Sequence, residues 1–406
     1  MSERVLITGL GVVSCLGSDL EAYWSGLLAA QSDPAPVPDP HAKMDNRLLY
    51  GVPDGAVTPA GPTGLAGRAR LGRTSRFALQ ATRSALHDAG LGDRPEAAGP
   101  GTVGIAIGTG VGDASLFEDA RVGHPAPAGP DAYPFKVCSV LADEFGLTGP
   151  MLSVSTACSA SAYSVSLAAE AIQQGEADVV VTGGADGYTR VGVACFNRMG
   201  GLDPQRCRPF SADRQGTVFG EGAAVLVLES ESHARARGRR RWYGVVEGAG
   251  WSCDAFHPTA PEPRGTQVVR AMRAALAAAE LAPPQVGCVV PHGTGTPLND
   301  AVESTALAEV FGESAAALGV YSLKALLGHT GGAAGAFALL TAALIADRRT
   351  APPNAPVPSP DPKCPLSLHT GAPLCRDFGH LLVNAYAFGG NNISVVVGQC
   401  QDGRGG

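Results

Sequence analysis

The sequence predicts an α/β fold made of two similar halves, because short apolar runs alternate with helical segments and their order recurs once. The runs are continuous, which is typical of parallel strands covered by helices on both faces. The first strand of each half runs into a matching turn, Gly9-Leu10-Gly11 and Gly248-Ala249-Gly250. Two unrelated α/β domains would not explain these matched turns. We therefore expect an internal duplication, with halves at about 1–240 and 241–406 packed as one body.

The first half contains five predicted strands. Apolar runs indicate them at Val5–Val13, Val103–Ile107, Leu152–Ser155, Asp178–Thr182 and Ala223–Leu228. Helical spacing predicts helices at Leu20–Ala30, Arg73–Ala89 and Phe135–Phe145. Prolines and glycines predict surface loops over 32–67 and 120–134.

The second half repeats this order. Its strands are predicted at Tyr243–Glu247, Val286–Val290, Leu323–Leu327, Leu381–Ala385 and Ile393–Val397, and its helices at Thr266–Glu280 and Gly331–Ala346. In open α/β units, reactive side chains gather at the carboxyl ends of strands. Cys158, His292 and His329 each follow a predicted strand, which makes them candidates for the chemistry.

The composition excludes several classes of protein. The 406 residues are 45% hydrophobic and 17% charged, as in a globule with a substantial core, and the net charge of −7 gives no support for nucleic-acid binding. The ten cysteines include no CxxC pair, which favours a reduced cytosolic protein over a disulfide scaffold or a zinc site. The apolar run near the N-terminus is too short and glycine-rich for a signal peptide, and no run is long enough for a membrane span.

Cys158 lies where a short apolar run, ending at Ser155, meets an Ala- and Ser-rich segment with helical spacing. The free N–H groups and the dipole at a helix N-terminus favour a thiolate. Small neighbours such as Ala157, Ser159 and Ala160 leave room for a bulky thioester. Taken alone, the stretch is equally compatible with a buried, apolar cysteine.

Three further motifs follow in order. The segment 291–300, PHGTGTPLND, places His292 on a glycine-rich loop, and 324–335, KALLGHTGGAAG, places His329 at the start of a small-residue helix. The segment 384–392, NAYAFGGNN, sets an aromatic residue beside a flexible glycine pair. A single histidine of this kind is often a surface residue, so it is the combination with Cys158 that carries the argument.

With these motifs in order, the chain resembles the β-ketoacyl–acyl carrier protein synthases of the elongating, Cys-His-His type over nearly its whole length. The resemblance implies the duplicated thiolase-like fold, a five-layered αβαβα sandwich. It also implies a decarboxylative Claisen condensation of an acyl-enzyme with malonyl–acyl carrier protein, giving a 3-oxoacyl-carrier in type II polyketide, polyene or fatty acid biosynthesis. No cofactor is implied, because the substrates are carried on the phosphopantetheine of the carrier.

The resemblance also assigns roles to the motif residues. Cys158 matches the nucleophile that takes the acyl group. His292 and His329 match the two imidazoles that donate N–H bonds to the enolate oxygen left after loss of carbon dioxide. The backbone N–H groups of Cys158 and Phe388 match the oxyanion hole.

Other positions match supporting groups. Lys324 and Glu303 match a pair expected to orient His329 and the local water, with a structural salt bridge as the alternative. Thr294 and Thr296 match positions that hydrogen-bond the phosphopantetheine arm.

Two aromatic residues bear on the substrate. Phe388 matches the gate between the acyl pocket and the malonyl side. Phe117 falls on a position that lines the acyl pocket near the dimer interface, where a stiff ring is expected to shorten or bend the pocket. Packing in the interface core is the alternative for Phe117.

Carrier proteins are acidic, so the docking face is expected to be basic. The candidates are Arg68, Arg70, Arg73, Arg76, Arg198, Arg206 and Arg208, with a merely solvated cluster as the alternative. The resemblance further implies a homodimer, or a heterodimer with a chain-length-factor-like subunit, without nucleic acid or membrane partners. We expect a cytoplasmic protein.

Other functions would require different residues at the same positions. A thiolase would need a second cysteine where His329 stands, and an initiating synthase would have asparagine there. A non-catalytic partner subunit of a heterodimer would lack the nucleophile, whereas Cys158 is present. A ketosynthase that only transfers or hydrolyses acyl groups remains open at the level of sequence.

Overall fold

A computed structural model describes residues 3–57, 71–98, 101–125 and 131–400. In this part of the chain ten strands form one continuous sheet. The first half contributes β1 (Val5–Val13), β2 (Val103–Gly108), β3 (Met151–Val154), β4 (Val179–Asp186) and β5 (Gly222–Ser230). The second half contributes β6 (Gly244–Cys253), β7 (Val286–Val290), β8 (Gly319–Val320), β9 (His380–Ala387) and β10 (Asn391–Gly398).

The strand order shows the internal duplication directly. The sheet runs β3-β2-β4-β5-β1 and then β6-β10-β9-β7-β8. Read inward from its own edge, each half therefore has its third, second, fourth, fifth and first strand in turn. The halves join where β1 pairs antiparallel with β6, with Val5 opposite Val246.

Strand directions are mixed, which corrects the expectation of parallel sheets. Strand β2 pairs in parallel with β3 and β4, but β5 lies antiparallel to both β4 and β1. In the second half β9 and β10 form an antiparallel hairpin across the turn Phe388–Gly390. A connection this short requires an antiparallel pair. The apolar runs did not reveal this, because helices bury both faces of either kind of sheet.

Helices cover both faces of each half. They are α1 (Leu20–Ala29), α2 (Arg73–Asp88), α3 (Ser115–Ala120), α4 (Pro134–Phe145), α5 (Ala160–Gln173), α6 (Arg190–Arg198), α7 (Glu231–Ala236), α8 (Thr266–Ala278), α9 (Pro297–Phe311), α10 (Lys324–Leu327) and α11 (Ala334–Arg348). Helices α2 and α4 pack outside the first half, and α8 and α9 pack outside the second. Helices α5 and α11 contact strands of both halves and each other. The five strands of each half form one β layer, and α5 and α11 lie between the two layers. The layers are therefore α, β, α, β and α, as the resemblance implied.

The central helices can lie between the two halves because small side chains line their contact. A Cβ added at Gly335 would lie 2.7 Å from the Ala162 backbone nitrogen, so only glycine permits this approach. The turns that precede the two helices, Ala157–Ser159 and Gly331–Ala333, also contact each other. This packing brings the amino-terminal ends of α5 and α11 to one place.

In the second half, local assignments differ from the sequence-based expectation around α9 and α10. Leu323–Leu327 was expected to be a strand, but Lys324–Leu327 is the short helix α10, and the strand is Gly319–Val320. A short, fully buried apolar run does not distinguish a strand from a helical turn. Helix α9 was not expected, although Pro297 at its first turn is a typical start signal.

Short elements complete the fold. Thr350–Ala351 pairs with Leu374–Cys375, and Leu48–Tyr50 pairs with both Ala35–Pro36 and Phe219–Gly220. Further 3₁₀ turns lie at Asp54–Ala56, Pro95–Ala98, Pro283–Gln285 and Gly312–Ala316. None of the helices described is both long enough and apolar enough to span a bilayer.

Candidate active site

One cavity of about 400 Å³ contains the predicted reactive groups. It lies where the amino-terminal ends of α5 and α11 meet the loop after β7 and the β9–β10 turn. Its lining includes Cys158, His292, Thr294, Thr296, Glu303, His329 and Phe388. Three motifs of the second half thus converge on the nucleophile candidate of the first.

Cys158 lies in the turn immediately before α5. Ala157 has a φ of 49°, a left-handed conformation that non-glycine residues seldom adopt, so the chain bends sharply at this point. The backbone N–H groups of Cys158 and Phe388 face the thiol. Burial raises the pKa of Cys158 to about 11, although Lys324 acts in the opposite direction. Desolvation thus opposes the thiolate that the helix N-terminus and the nearby ammonium group favour, so the thiolate stays a prediction.

Carboxylates of α9 hold the loop that carries His292. Glu303 accepts the N–H of His292 and that of Gly293, both at 2.7 Å. Asp300 accepts the N–H of Thr294 at 3.1 Å. Two buried side chains of one helix thereby fix the position of the whole loop.

Lys324 approaches the same histidine from α10. Its Nζ donates to the His292 carbonyl oxygen and lies 3.5 Å from Nδ1. With Nδ1 facing an ammonium group, the imidazole proton belongs on Nε2. Lys324 and Glu303 thus both act on His292 and its loop, whereas the resemblance had them orient His329.

The segment after Gly216 positions His329. The N–H of His329 donates to the Val218 carbonyl at 2.8 Å, and its own carbonyl accepts from Gly220 at 3.1 Å. Its ring lies parallel to Phe219, with centroids 6.1 Å apart, and perpendicular to His292, with centroids 5.6 Å apart. The two imidazoles are therefore held from different elements in a fixed mutual orientation.

Both imidazoles are neutral near pH 7. Burial, followed by the charge of Lys324, lowers the pKa of His329 to about 3. The same two causes hold the pKa of His292 well below 6.5, and His329 adds to the effect. Burial raises the pKa of Glu303 to about 7. Each neutral ring carries one N–H, which can donate to a ligand.

An aromatic row connects the predicted gate to His329. Phe388 stacks on Phe196 with centroids 5.2 Å apart, and Phe196 meets Phe219 edge-on at 4.8 Å. Phe219 in turn lies against His329. The next residue after the gate, Gly389, has a φ of 83°, which gives the turn a conformation that glycine adopts readily.

The two threonines lie on the cavity wall beside the histidine loop. Their hydroxyls are hydrogen-bonded to each other, with Thr294 Oγ1 and Thr296 Oγ1 2.9 Å apart. A hydroxyl pair on this wall has further donor and acceptor capacity for a bound ligand.

Asp186 is a buried residue that the motif search did not single out. It accepts hydrogen bonds from the N–H groups of Gly110 and Gly332 at 2.8 and 2.6 Å and from the Thr109 hydroxyl at 2.6 Å. Burial raises its pKa to about 6, and its charge acts on Cys158. The feature that could have indicated Asp186 from sequence is its place at the carboxyl end of β4.

Phe117 does not line the cavity. It lies on α3, is 41% exposed, and meets Tyr133 edge-on with centroids 5.8 Å apart. Tyr133 stacks on Phe135, and both are 50% exposed. The single chain thus places Phe117 in an exposed aromatic cluster, where its effect on an acyl pocket stays a prediction.

The basic residues proposed for carrier docking differ in how far acidic partners compensate their charges. Arg73 is hydrogen-bonded to buried Glu221, and Arg208 is bonded to Asp203 at 2.7 Å. Arg206 forms a looser and more exposed contact with an aspartate, at 3.6 Å. Arg68 and Arg70 lie outside the described residues. The docking role stays a prediction, with the charge of Arg206 the least compensated of these three.

Family models and known proteins match the chain along its length. The model for the N-terminal domain of β-ketoacyl synthases matches residues 2–234, and that for the C-terminal domain matches residues 243–357. Nodulation protein E of Rhizobium meliloti (strain 1021) is 35% identical over 98% of this chain and 100% of its own. The 3-oxoacyl-[acyl-carrier-protein] synthase 2 of Synechocystis is 32% identical over 97% of each chain.

Solved structures agree with these matches. The ishigamide ketosynthase/chain length factor superposes with a TM-score of 0.87 and 34% identity, covering 98% of this chain and 100% of that one. A type II polyketide acyl-carrier protein in complex with its ketosynthase, bound to the hexaketide, gives a TM-score of 0.86 at 26% identity, with coverage of 98% and 100%.

Proposed function

The chain belongs to the β-ketoacyl synthase family, and from that premise we propose that it condenses an acyl group with malonyl–acyl carrier protein in fatty acid or polyketide synthesis. The observation that carries the proposal is that Cys158 shares one cavity with two neutral imidazoles, His292 and His329. The product is a 3-oxoacyl-carrier.

The first half-reaction uses Cys158. Its sulfur attacks the thioester carbonyl of an acyl-carrier, the carrier's pantetheine thiolate leaves, and the thiol proton ends on the departing sulfur. The N–H groups of Cys158 and Phe388, which already face the thiol, stabilise the tetrahedral oxyanion. The acyl group then remains on the enzyme as a thioester.

The second half-reaction uses the histidines. Loss of carbon dioxide from malonyl-carrier leaves the electron pair of the broken C–C bond as an enolate, and the N–H groups of His292 and His329 stabilise its oxygen. The α-carbon attacks the acyl carbonyl on Cys158, and the cysteine sulfur leaves. Neutral rings suit this role because each keeps a donor N–H without a net charge that would have to be buried.

The supporting groups position the catalytic residues and the substrate. Lys324 and Glu303 hold the His292 loop and do not take part in bond making. The Thr294 and Thr296 hydroxyls receive the amides of the phosphopantetheine arm at the cavity wall. The catalytic groups divide between the proposed halves, with the nucleophile in 1–240 and both histidines in 241–406.

Partners follow from the same reaction. The chain acts with an acyl carrier protein and forms a homodimer or a heterodimer with a chain-length-factor-like subunit, as complexes of similar ketosynthases do. The chemistry requires only side chains and carrier-bound thioesters, so we propose that no separate cofactor takes part. We also propose that the protein acts in the cytoplasm, because ten cysteines without a CxxC pair suit a reducing compartment. Exhaustive dialysis against a chelator should leave condensation unchanged.

The test is intact-mass measurement after incubation with an acyl-carrier. The native protein and Cys195→Ala, which removes an exposed cysteine outside the cavity, should gain the acyl mass, and Cys158→Ala should not. Added malonyl-carrier should then yield a 3-oxoacyl-carrier with the native protein. Acyl mass on Cys158→Ala would contradict the nucleophile, and acylation without a 3-oxoacyl product would indicate an acyltransferase that does not elongate.

A further inference from the structure

A groove lies beside the catalytic cavity and has no part in the proposed bond chemistry. It has a volume of about 540 Å³ and is formed by the loop 254–264, the start of α9 and the segment 361–363. Five residues line both the groove and the catalytic cavity: Ala260, Pro261, Pro297, Leu298 and Val302. Because Leu298 is 61% exposed, the cavity is open to solvent on this shared side. We call the groove the mouth groove.

The walls of the mouth groove are largely apolar. Phe256 is 57% exposed, and it lines the groove but not the catalytic cavity. Pro261, Pro263 and Pro297 form much of the remaining surface. Large apolar side chains that stay exposed around one groove are typical of binding sites for other molecules. Prolines have no side-chain rotamers to lose, so the entropic cost of binding at this surface is low.

The loop that carries Phe256 is fixed by hydrogen bonds. The Asp254 carboxylate accepts the N–H of Glu262 at 3.0 Å, which closes the loop on itself. The same carboxylate accepts the side-chain amide of Asn392, on β10, at 2.6 Å, which ties the loop to the sheet. The mouth groove is therefore formed in the free chain, as expected of a surface that binds a partner with little rearrangement.

The charged residues that line the mouth groove carry a net positive charge. They are two cations, Arg214 and Lys363, and one carboxylate, Asp361. Arg214 donates to Asp361 at 2.5 Å, and this hydrogen bond, followed by the charge of exposed Lys363, lowers the pKa of the carboxyl group. The chain as a whole has a net charge of −7. An acidic partner is thus repelled by most of the molecule and attracted at this rim.

We propose that the mouth groove docks the acyl carrier protein, with apolar carrier side chains packed between Phe256 and Leu298 and a carrier carboxylate facing Lys363. This inference rests on the proposed condensation. A substrate tethered to its carrier reaches the catalytic groups only if the carrier lies where the cavity opens. A second copy of this chain seated in the groove would instead cover Leu298 and block the entry of the tether.

The test uses substitutions in the mouth groove that do not alter the catalytic cavity. Phe256→Ser removes the exposed ring, and its control is Val191→Ser, at a residue of α6 that is 60% exposed and outside both cavities. Lys363→Glu reverses the rim charge, and Lys43→Glu makes the same charge change at an exposed position outside both cavities. All four side chains are exposed, so the variants should fold as the native protein does.

Two quantities are measured: the Kd for the holo form of a type II acyl carrier protein, and the rate of Cys158 acylation by hexanoyl-pantetheine, which has no carrier. Phe256→Ser should raise the Kd about tenfold, as expected for loss of an aromatic anchor. Lys363→Glu should raise it about fivefold at low salt and less at high salt. Both controls should keep the native Kd, and all four variants should keep the native rate with hexanoyl-pantetheine.

An unchanged Kd in either groove variant would overturn the docking, and so would an equal rise in its control. Slower acylation of Phe256→Ser by hexanoyl-pantetheine would also overturn it, because the substitution would then act on the catalytic cavity. A smaller oligomer of Phe256→Ser in light scattering would assign the groove to a second copy of the chain. If the native protein accepts no acyl group, the proposed condensation fails, whereas the Kd values still decide where the carrier binds.

Discussion

Decarboxylation of malonyl-carrier should persist through the pH range in which histidines ordinarily titrate. The pKa of His329 is lowered from 6.5 to about 3, and that of His292 lies well below 6.5. At about pH 5 an imidazole with a pKa near 6.5 is only about 3% neutral, whereas one with a pKa near 3 is about 99% neutral. The rate at about pH 5 should therefore stay within about twofold of the neutral value, instead of falling about 30-fold.

The assay is carbon dioxide release by the Cys158→Ala variant between about pH 5 and 8, because the variant retains the histidines and removes the thiol. The folded fraction is measured by circular dichroism at each pH. Acid itself lowers stability, since the unfolded chain takes up the His329 proton near pH 6.5 and the folded chain only near 3. The stability associated with the neutral ring is present above about pH 6.5 and is lost as the pH falls toward 3.

Glu303 provides the control for this experiment. Its pKa of about 7 lies inside the tested range, and it accepts the N–H of His292. If the rate of carbon dioxide release changes near pH 7 in Cys158→Ala, and this change is absent from the double variant Cys158→Ala/Glu303→Gln, the change belongs to the Glu303 carboxyl group. If the rate still falls near pH 6.5 in the folded double variant, at least one imidazole titrates normally, and the claim that both stay neutral at about pH 5 is refuted.

Three further outcomes are expected. His292→Ala and His329→Ala should each lower carbon dioxide release by about 10²–10³-fold while some acylation persists, and normal release from both would place the enolate stabilisation elsewhere. Phe117→Ala should shift acylation toward longer saturated chains, by up to about 0.8 kcal/mol for each buried methylene, and an unchanged chain-length profile in a folded variant would show that the ring does not face substrate. Arg206→Glu should weaken carrier binding at low salt without changing thermal stability. Arg73→Ala should instead lower the free energy of unfolding by up to about 3 kcal/mol, because buried Glu221 loses its positively charged partner. The opposite pattern would exchange the roles of the two arginines.

The positions of the candidate reactive groups could be predicted from local sequence. The small-residue helices after Cys158 and His329 and the glycine-rich loop around His292 are short-range patterns, and each lies at a predicted element boundary as the structure has it. The repeated order of strands was likewise visible, because a duplication leaves matching turns in both halves.

The protonation of the candidate groups could not be predicted from the sequence, because it depends on the tertiary structure. The helix N-terminus predicts a thiolate at Cys158, but burial raises the thiol pKa to about 11. The same burial, together with Lys324 from α10, keeps both histidines neutral. Sequence shows which dipoles lie near a residue along the chain, whereas desolvation depends on atoms brought from distant positions.

Long-range contacts also decided which residue each supporting group serves. The resemblance assigns Lys324 and Glu303 to His329, yet the hydrogen bonds of both reach His292 and its loop, and only the charge of Lys324 also acts on His329. Local patterns therefore identified the candidate reactive residues, and only the packing of the two halves decided their protonation and their partners.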